Sequence, residues 1–357
     1  MNFPPRPHYS KGEIDRAGQT ACSSSPKSQA YRDAVSRINA WRVSHAYPMH
    51  TFNMTLRRKA YGIDRTAIVA RRLKRLPTII DKIGNRQVSM SLSRMQDIGG
   101  VRAILTDVDQ VYELCTQYTQ KGRFPHRLKQ PYHDYIHSPK PSGYRGIHLV
   151  FEFNNSQGRS SNARDYDGLY VEVQLRTKLQ HAWATAVEAV GIITHENLKS
   201  SLGNANWLRF FQYMASVMAL MESQPVLDIH RGMTTRELFG KTTKLATELN
   251  VLNVLAGWMT GVHSINEGSG SHYNILTIDI AQKKVKILGF AERELEKANK
   301  MLAELEMQAV LNKTPEPVLV AAGDSKSLKK AYPNYYLDMQ AFLDVVRGVV
   351  QTVEETL

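Results

Sequence analysis

Apolar residues recur at helical spacing over residues 31–46, where Ala34, Val35, Ile38 and Trp41 fall on one side, and Pro48 is expected to close that helix. A second amphipathic pattern over 61–83 predicts another helix, broken near Pro77. The short apolar or β-branched runs 101–105, 147–153 and 169–175 are bounded by Gly, Asp or Asn and predict strands. Residues 108–121 and 177–190 have helical spacing between or after these runs. Strand and helix therefore alternate, and an α/β fold follows.

Beyond residue 200 the pattern changes. Residues 202–223 and 235–258 form longer helical stretches that lead away from the expected sheet. A glycine- and serine-rich segment, 257–272, precedes a hairpin pattern at 274–279 and 284–289. Residues 292–311 then place Ala298, Leu302, Leu305 and Ala309 on one helix face, and Thr314-Pro315-Glu316-Pro317 ends it. A short strand is expected at 318–321, and helix from 325 to 357 apart from Pro333. Residues 1–29, rich in Ser, Pro and charge, are expected to be a loose leader. The boundaries that follow are a basic N-terminal helical region at 1–59, a central α/β unit at 60–205, connecting helices at 206–260 and a small α+β module at 261–357.

Composition narrows the class. With 42% hydrophobic and 22% charged residues, the 357-residue chain has the balance of a globular protein able to bury a core unaided. The two cysteines, Cys22 and Cys115, are too few for a disulfide framework or a Cys-rich zinc site. No apolar run opens the chain, and the most apolar stretch, 210–221, is too short to cross a bilayer. A cytoplasmic protein is expected. The formal charge is +13, and it is unevenly placed: residues 1–100 hold 18 basic against 6 acidic residues, whereas 101–357 hold 28 against 27. Such a concentrated field attracts polyanions, whether nucleotide phosphates or a nucleic-acid backbone.

Four segments put polar chemistry at expected element ends. Arg72-Leu73-Lys74, with Thr78 one turn on, offers a guanidinium and an ammonium that could clamp a di- or triphosphate from a helix start. Gln96-Asp97-Ile98-Gly99-Gly100-Val101-Arg102 sets an acid and two glycines before a buried strand, which suits a carboxylate metal ligand. The loop 134–148 carries Tyr144 among Lys140, Arg145 and His148, an aromatic platform with cationic neighbours. On the strand 171–177, Glu172, Gln174 and Arg176 share one face, opposite Val171, Val173 and Leu175. Taken singly, each has a plain structural explanation: local ion pairs, a turn, or a packed surface aromatic. Their order and type together carry more.

The set RLK, QDIGGVRAI, DYIHSPKPSGYRGIH and VEVQLRTKLQHAW resembles the synthetase domain of the RelA/SpoT family over roughly residues 60–200. The resemblance implies a mixed sheet flanked by helices that moves the β,γ-pyrophosphate of ATP onto a ribose 3′-hydroxyl with Mg²⁺. It also implies roles. Arg72 and Lys74 correspond to ATP-phosphate contacts, with Thr78 where a serine is usual. Asp97 and Glu172 correspond to the Mg²⁺-associated catalytic carboxylates, Glu172 also serving as base or positioner for the attacking hydroxyl. Tyr144 corresponds to the aromatic that stacks on the acceptor base, and Lys140, Arg145, His148, Gln174 and Arg176 to acceptor or phosphate contacts. Trp183 reads as core. No His-Asp hydrolase pair precedes the match.

The acceptor could be a guanine nucleotide, GDP or GTP, or the 3′ end of tRNA; the basic first hundred residues favour tRNA. Tyr332-Pro333-Asn334-Tyr335-Tyr336 follows Lys329 and Lys330 in the last module. Its aromatics could simply pack the final helix. A synthetase followed by a hairpin-helix module and a Tyr-x-x-Tyr segment nevertheless resembles CapRel, fused toxin–antitoxins whose C-terminal region restrains the toxin and senses a phage capsid protein. That resemblance implies autoinhibition through Tyr332 and Tyr335. A protein that binds nucleotide or RNA without catalysis is the expectation from another class; retention of both acids and the Arg-x-Lys clamp speaks against it.

Overall fold

The computed structural model describes residues 3, 6–86, 90–120, 124–155, 165–193, 198, 203–252, 254–255, 272–279, 284–312, 317–321 and 337–355. Three helices come first: α1 (Lys11–Ser23), α2 (Gln29–Val43) and α3 (Ala46–Ile63). The expected loose leader thus contains a helix. Ser10 and Glu13 form a reciprocal capping box at its start, and Ile14, Ala17 and Ala21 are buried against the core. Pro48 does not end a helix. It sits in the first turn of α3, where a missing N–H costs nothing.

The segment 61–83 also departs from expectation. It forms strand β1 (Ile68–Leu73) and the short helix α4 (Leu76–Asp81), with Pro77 in the first turn of α4. The helical period misled because β1 is an edge strand, half-buried at every position, so it lacks the alternation that marks a strand with one buried face.

The main sheet runs β1–β2–β6–β5–β3, with β4 also on β5. Here β2 is Gly99–Leu105, β3 Arg127–Leu128, β4 His133–Asp134, β5 Ile147–Glu152 and β6 Tyr170–Thr177, while α5 (Val108–Thr119) follows β2. The β2–β6 pair is parallel and the others antiparallel, so the sheet is mixed, as expected. Val101, Ala103, Leu149, Phe151, Val171, Val173 and Leu175 are buried with residues of α2, α3 and α5 in one core. The opposite face is left for polar residues. At Gly99 an added Cβ would lie 3.0 Å from Met49 and 3.1 Å from His45, so a larger residue would push against α3 where it crosses β2.

After β6 come α6 (Lys178–Ile193), α7 (Ala205–Met221) and α8 (Thr235–Glu248), which form a second core around Trp183, Phe210, Phe211 and Met214. The antiparallel sheet β8–β7–β9 (β7 Tyr273–Asp279, β8 Lys284–Phe290, β9 Val318–Ala321) carries α9 (Leu295–Asn312), with Ile275, Phe290, Ala298 and Leu302 between them. The expected hairpin, helix and strand are all there. The last helix, α10 (Leu337–Glu354), departs from the expected module. Met339, Phe342, Leu343 and Val346 insert into the second core against α6, α7 and α8 rather than into the small sheet. No helix among the described residues is long and apolar enough to cross a membrane.

Candidate active site

The polar face of the main sheet floors a cavity of about 1840 Å³. Strand register explains its composition. Arg72 on β1, Gly100 on β2 and Glu172 on β6 lie in one cross-strand row; Ala70, Arg102, Gln174 and His148 form the next; Ile104 and Arg176 are paired in a third. With period-two alternation, every second residue of β5 and β6 faces the cavity while its neighbours enter the core.

A hydrogen-bonded chain crosses this floor. Arg176 donates to the Tyr144 hydroxyl at 2.5 Å, and that hydroxyl lies 2.5 Å from His148 Nε2. His148 Nδ1 is 2.7 Å from Glu172 Oε1, and Gln174 donates to Glu172 Oε2 at 2.6 Å. Gln174 Oε1 accepts from both Arg102 and Arg176 at 3.3 Å. A neutral imidazole protonated on Nδ1 satisfies this chain: Nδ1–H donates to Glu172, and Nε2 accepts from the tyrosine. Burial holds His148 below the ordinary imidazole value despite the pull of Glu172. Burial also opposes ionisation of Glu172, yet the His148 ring, its hydrogen bond, the Gln174 amide and the Lys74 ammonium outweigh it and hold the carboxyl at about 2.

The cations form the other half of the site. Arg102 is pushed down to about 10 by burial, with Arg176 and Arg72 adding repulsion. Lys74, lowered by burial against the attraction of Asp97, sits 2.8 Å from Asp97 Oδ2, and Lys82 holds the other oxygen at 3.2 Å. Arg75 pairs with Glu188 at 3.2 Å. Arg72 makes no ion pair among the described residues, and Thr78 lines the same wall. Guanidiniums and ammoniums gathered with few compensating carboxylates make a site for a polyphosphate.

Most residues singled out in the sequence therefore meet here: Arg72, Lys74, Thr78, Asp97, Lys140, Tyr144, His148, Glu172, Gln174 and Arg176 all border the cavity. The setting of the clamp differs from expectation, since Arg72 lies within a strand, one residue from its end, and Lys74 lies between strand and helix. Arg145 is not brought in. It is buried, donates to the Ile136 carbonyl at 2.7 Å and bonds the Pro225 carbonyl, so it fastens the loop to the segment after α7. Tyr144 carries cations on its ring: Arg176 Cζ lies 4.8 Å and Lys140 Nζ 5.2 Å from the centroid, with Lys140 also 4.5 Å from the Tyr135 ring. Tyr332 and Tyr335 lie outside the described residues.

Sequence reasoning passed over Arg102 and Lys82. Arg102 had a legible signal, because a charged residue at an alternate position of an otherwise apolar strand faces away from the core, on the side shared with Gln174. Lys82 had none, for only the turn after α4 brings it to Asp97.

Residues 71–196 match the profile of the region found in RelA and SpoT proteins. The matched stretch begins within β1 and runs past α6, so it carries Arg72, Arg102, His148, Glu172, Gln174 and Arg176 of the polar face. GTP pyrophosphokinase YwaC of Bacillus subtilis is 29% identical over 118 residues, which cover 32% of this chain and 52% of that protein. GTP pyrophosphokinase YjbM of the same organism is 28% identical over 120 residues, 33% of this chain and 52% of that protein. The chain thus spans about half the length of the curated relatives it matches. Among solved structures, small alarmone synthetase 1 from Bacillus subtilis bound to its product pppGpp aligns with a TM-score of 0.42 and 23% identity, covering 51% of this chain and 90% of that one.

Proposed function

We propose that the RelA/SpoT region transfers the β,γ-pyrophosphate of ATP to a ribose 3′-hydroxyl, with the tRNA 3′ end as acceptor. The observation that carries the proposal is one cavity bearing both a cluster of cations (Arg72, Lys74, Arg102) and an ionised, hydrogen-bonded carboxylate, Glu172, beside a tyrosine platform. The 3′-oxygen attacks the β-phosphorus, the bond from that phosphorus to the oxygen bridging to the α-phosphate breaks, AMP leaves, and the hydroxyl proton is released. Such transfer has a loose transition state that asks for alignment and charge neutralisation more than for a strong base. A carboxyl held at about 2 is a weak base. Glu172 therefore acts as the hydrogen-bond acceptor that orients the hydroxyl, and His148 and Gln174 keep that acceptor in place. Arg72, Lys74 and Arg102 bind the donor phosphates.

Asp97 and Glu172 are hard oxygen donors on one cavity and fit Mg²⁺, which takes one or two carboxylates and completes its shell with water and substrate phosphate. When bound, the ion would neutralise charge developing on the transferred phosphates. Lys74 and Lys82 both pair with the Asp97 carboxylate.

The tRNA assignment is supported by the net +12 of the first hundred residues and by further cations on the cavity wall, Arg57, Arg71 and Lys129. The names of the two curated relatives support the second reading, an alarmone synthetase acting on GDP or GTP. The Tyr-x-x-Tyr segment supports a restrained toxin released by a phage capsid protein. His272, at the edge of the small sheet, borders the same cavity.

The test is one reaction with phosphate-labelled ATP, Mg²⁺, deacylated tRNA, GDP and GTP, run for the parent and for Tyr335→Ala. Label on tRNA is expected, and more of it with the variant. Label on guanine nucleotide alone would establish the second reading. No labelled acceptor from either protein would overturn the catalytic proposal.

A further inference from the structure

Resting on the reading that residues 72–78 receive the donor phosphates, we infer that Glu306, on α9 of the small module, is a positioning residue for that donor site. Glu306 is fully buried, and its carboxylate receives Arg42 of α2 in a two-pronged ion pair, at 3.1 Å to Oε2 and 3.2 Å to Oε1. The pair does more than join two helices. Arg42 Nε donates to the Lys74 carbonyl at 3.0 Å, and Glu306 Oε1 accepts the Leu76 N–H at 3.3 Å. Both sides of the backbone at 74–76 are thus gripped by side chains from outside the RelA/SpoT region, one from each flank.

That backbone carries the donor clamp. Lys74 projects to Asp97 and Arg75 to Glu188, while Thr78 stands in the first turn of α4. Arg75, the residue at the start of α4, offers no side-chain cap, so Glu306 supplies the acceptor that the helix start lacks. The neighbouring Met307 packs onto the main core, which seats α9 at this place. If the module lifts, Arg42 is left buried without its carboxylate, the Leu76 N–H loses its acceptor, and the clamp loses its backbone reference. Docking of the small module and capture of ATP are therefore coupled, and the coupling must run both ways.

The experiment measures binding rather than turnover, on the full chain. Titration calorimetry with a non-hydrolysable ATP analogue and Mg²⁺ would compare the parent, Lys74→Ala, Glu306→Gln and the double variant Arg42→Met with Glu306→Leu. The double variant replaces the buried pair by apolar groups of similar size, a change that usually preserves folding. It keeps α9 seated but removes both backbone contacts. The expected result is a folded chain with a somewhat lower melting temperature, because the Lys74 carbonyl and Leu76 N–H lose their partners, and an affinity for the analogue about tenfold weaker, the effect of losing one good hydrogen bond at a positioned group. Glu306→Gln keeps an acceptor for Leu76 and should fall between. In the parent, the analogue should slow amide exchange along Leu295–Asn312, and in the double variant it should not. Unchanged affinity and unchanged protection in the double variant would overturn the inference and leave the pair a docking contact alone. Failure of the underlying reading looks different: the parent would not bind the analogue, or Lys74→Ala would bind it as well as the parent.

Discussion

Glu172 shows how a single side chain is set by its neighbours. A buried carboxylate is ordinarily driven toward its neutral form, and here one imidazole, one amide and a nearby ammonium reverse that. Glu172→Gln keeps the shape but removes the charge, so turnover should fall by about a hundredfold or more while the melting temperature holds; a rate assay beside a thermal melt checks this, and unchanged turnover would remove Glu172 from the chemistry. His45 makes a different point. It is buried beneath Gly99, its Nδ1 is 2.9 Å from the Trp41 carbonyl, and burial pushes it down to about 4. Its folded value lies below its unfolded one, so the stability it contributes is complete above about pH 6.5. Below that, the unfolded chain takes up a proton that the folded chain refuses until about pH 4. Stability should therefore decline over that window by about 3 kcal/mol from this residue. Denaturant titrations at several pH values, with His45→Gln flattening the slope, would show it.

At the scale of elements, the loop before β5 matters because Tyr144 and Lys140 ride on it. α7 braces it: Gln212 donates to the Pro141 carbonyl at 3.0 Å, and Trp183 Nε1 donates to the Phe211 carbonyl at 2.8 Å behind it. Gly143 has φ +98°, and a Cβ there would lie 2.5 Å from Ala215 and 3.1 Å from Trp183. Gly143→Ala combines a disfavoured backbone with a clash against packed atoms. It should cost about 2 kcal/mol or more of stability and weaken acceptor binding more than ATP binding. Equal loss of both substrates would mean that the loop does not address the acceptor. The strands of this region were readable because β2, β5 and β6 each bury one face, which imposes a period of two. β1 was not, since an edge strand half-buried on both faces imposes none. The helix α1 was missed for a related reason: its capping box, Ser10 with Glu13, is a sound start signal, but Ile14, Ala17 and Ala21 are too small and sparse to draw attention.

For the whole molecule, the chain after residue 205 returns twice toward the cavity. α9 docks beside Lys74 through Glu306, and α10 closes the core behind the loop before β5, where Phe342 packs 5.9 Å from Phe211 between ring centroids. Phe342→Ala should lose about 3–5 kcal/mol, read as a lower denaturation midpoint. Loss of stability confined to the small sheet, with the rest of the chain unchanged in hydrogen exchange, would contradict the placement of α10. No local pattern reveals that α10 leaves the small module, because an amphipathic helix records that it has an apolar face and not which surface covers it.

The alternation of strand and helix in 101–190, the apolar core faces of β2, β5 and β6, and the polar residues on their opposite side can be read from residue order alone, because period-two and period-3.6 patterns are local consequences of backbone geometry. Tertiary structure alone decided that Arg145 fastens a loop instead of meeting a substrate, that Lys82 reaches Asp97, and that Arg42 and Glu306, 264 residues apart, grip the backbone beside Lys74. Those contacts depend on which distant surfaces meet, and a charged side chain looks the same in sequence whether its partner is solvent, a substrate or the far end of the chain.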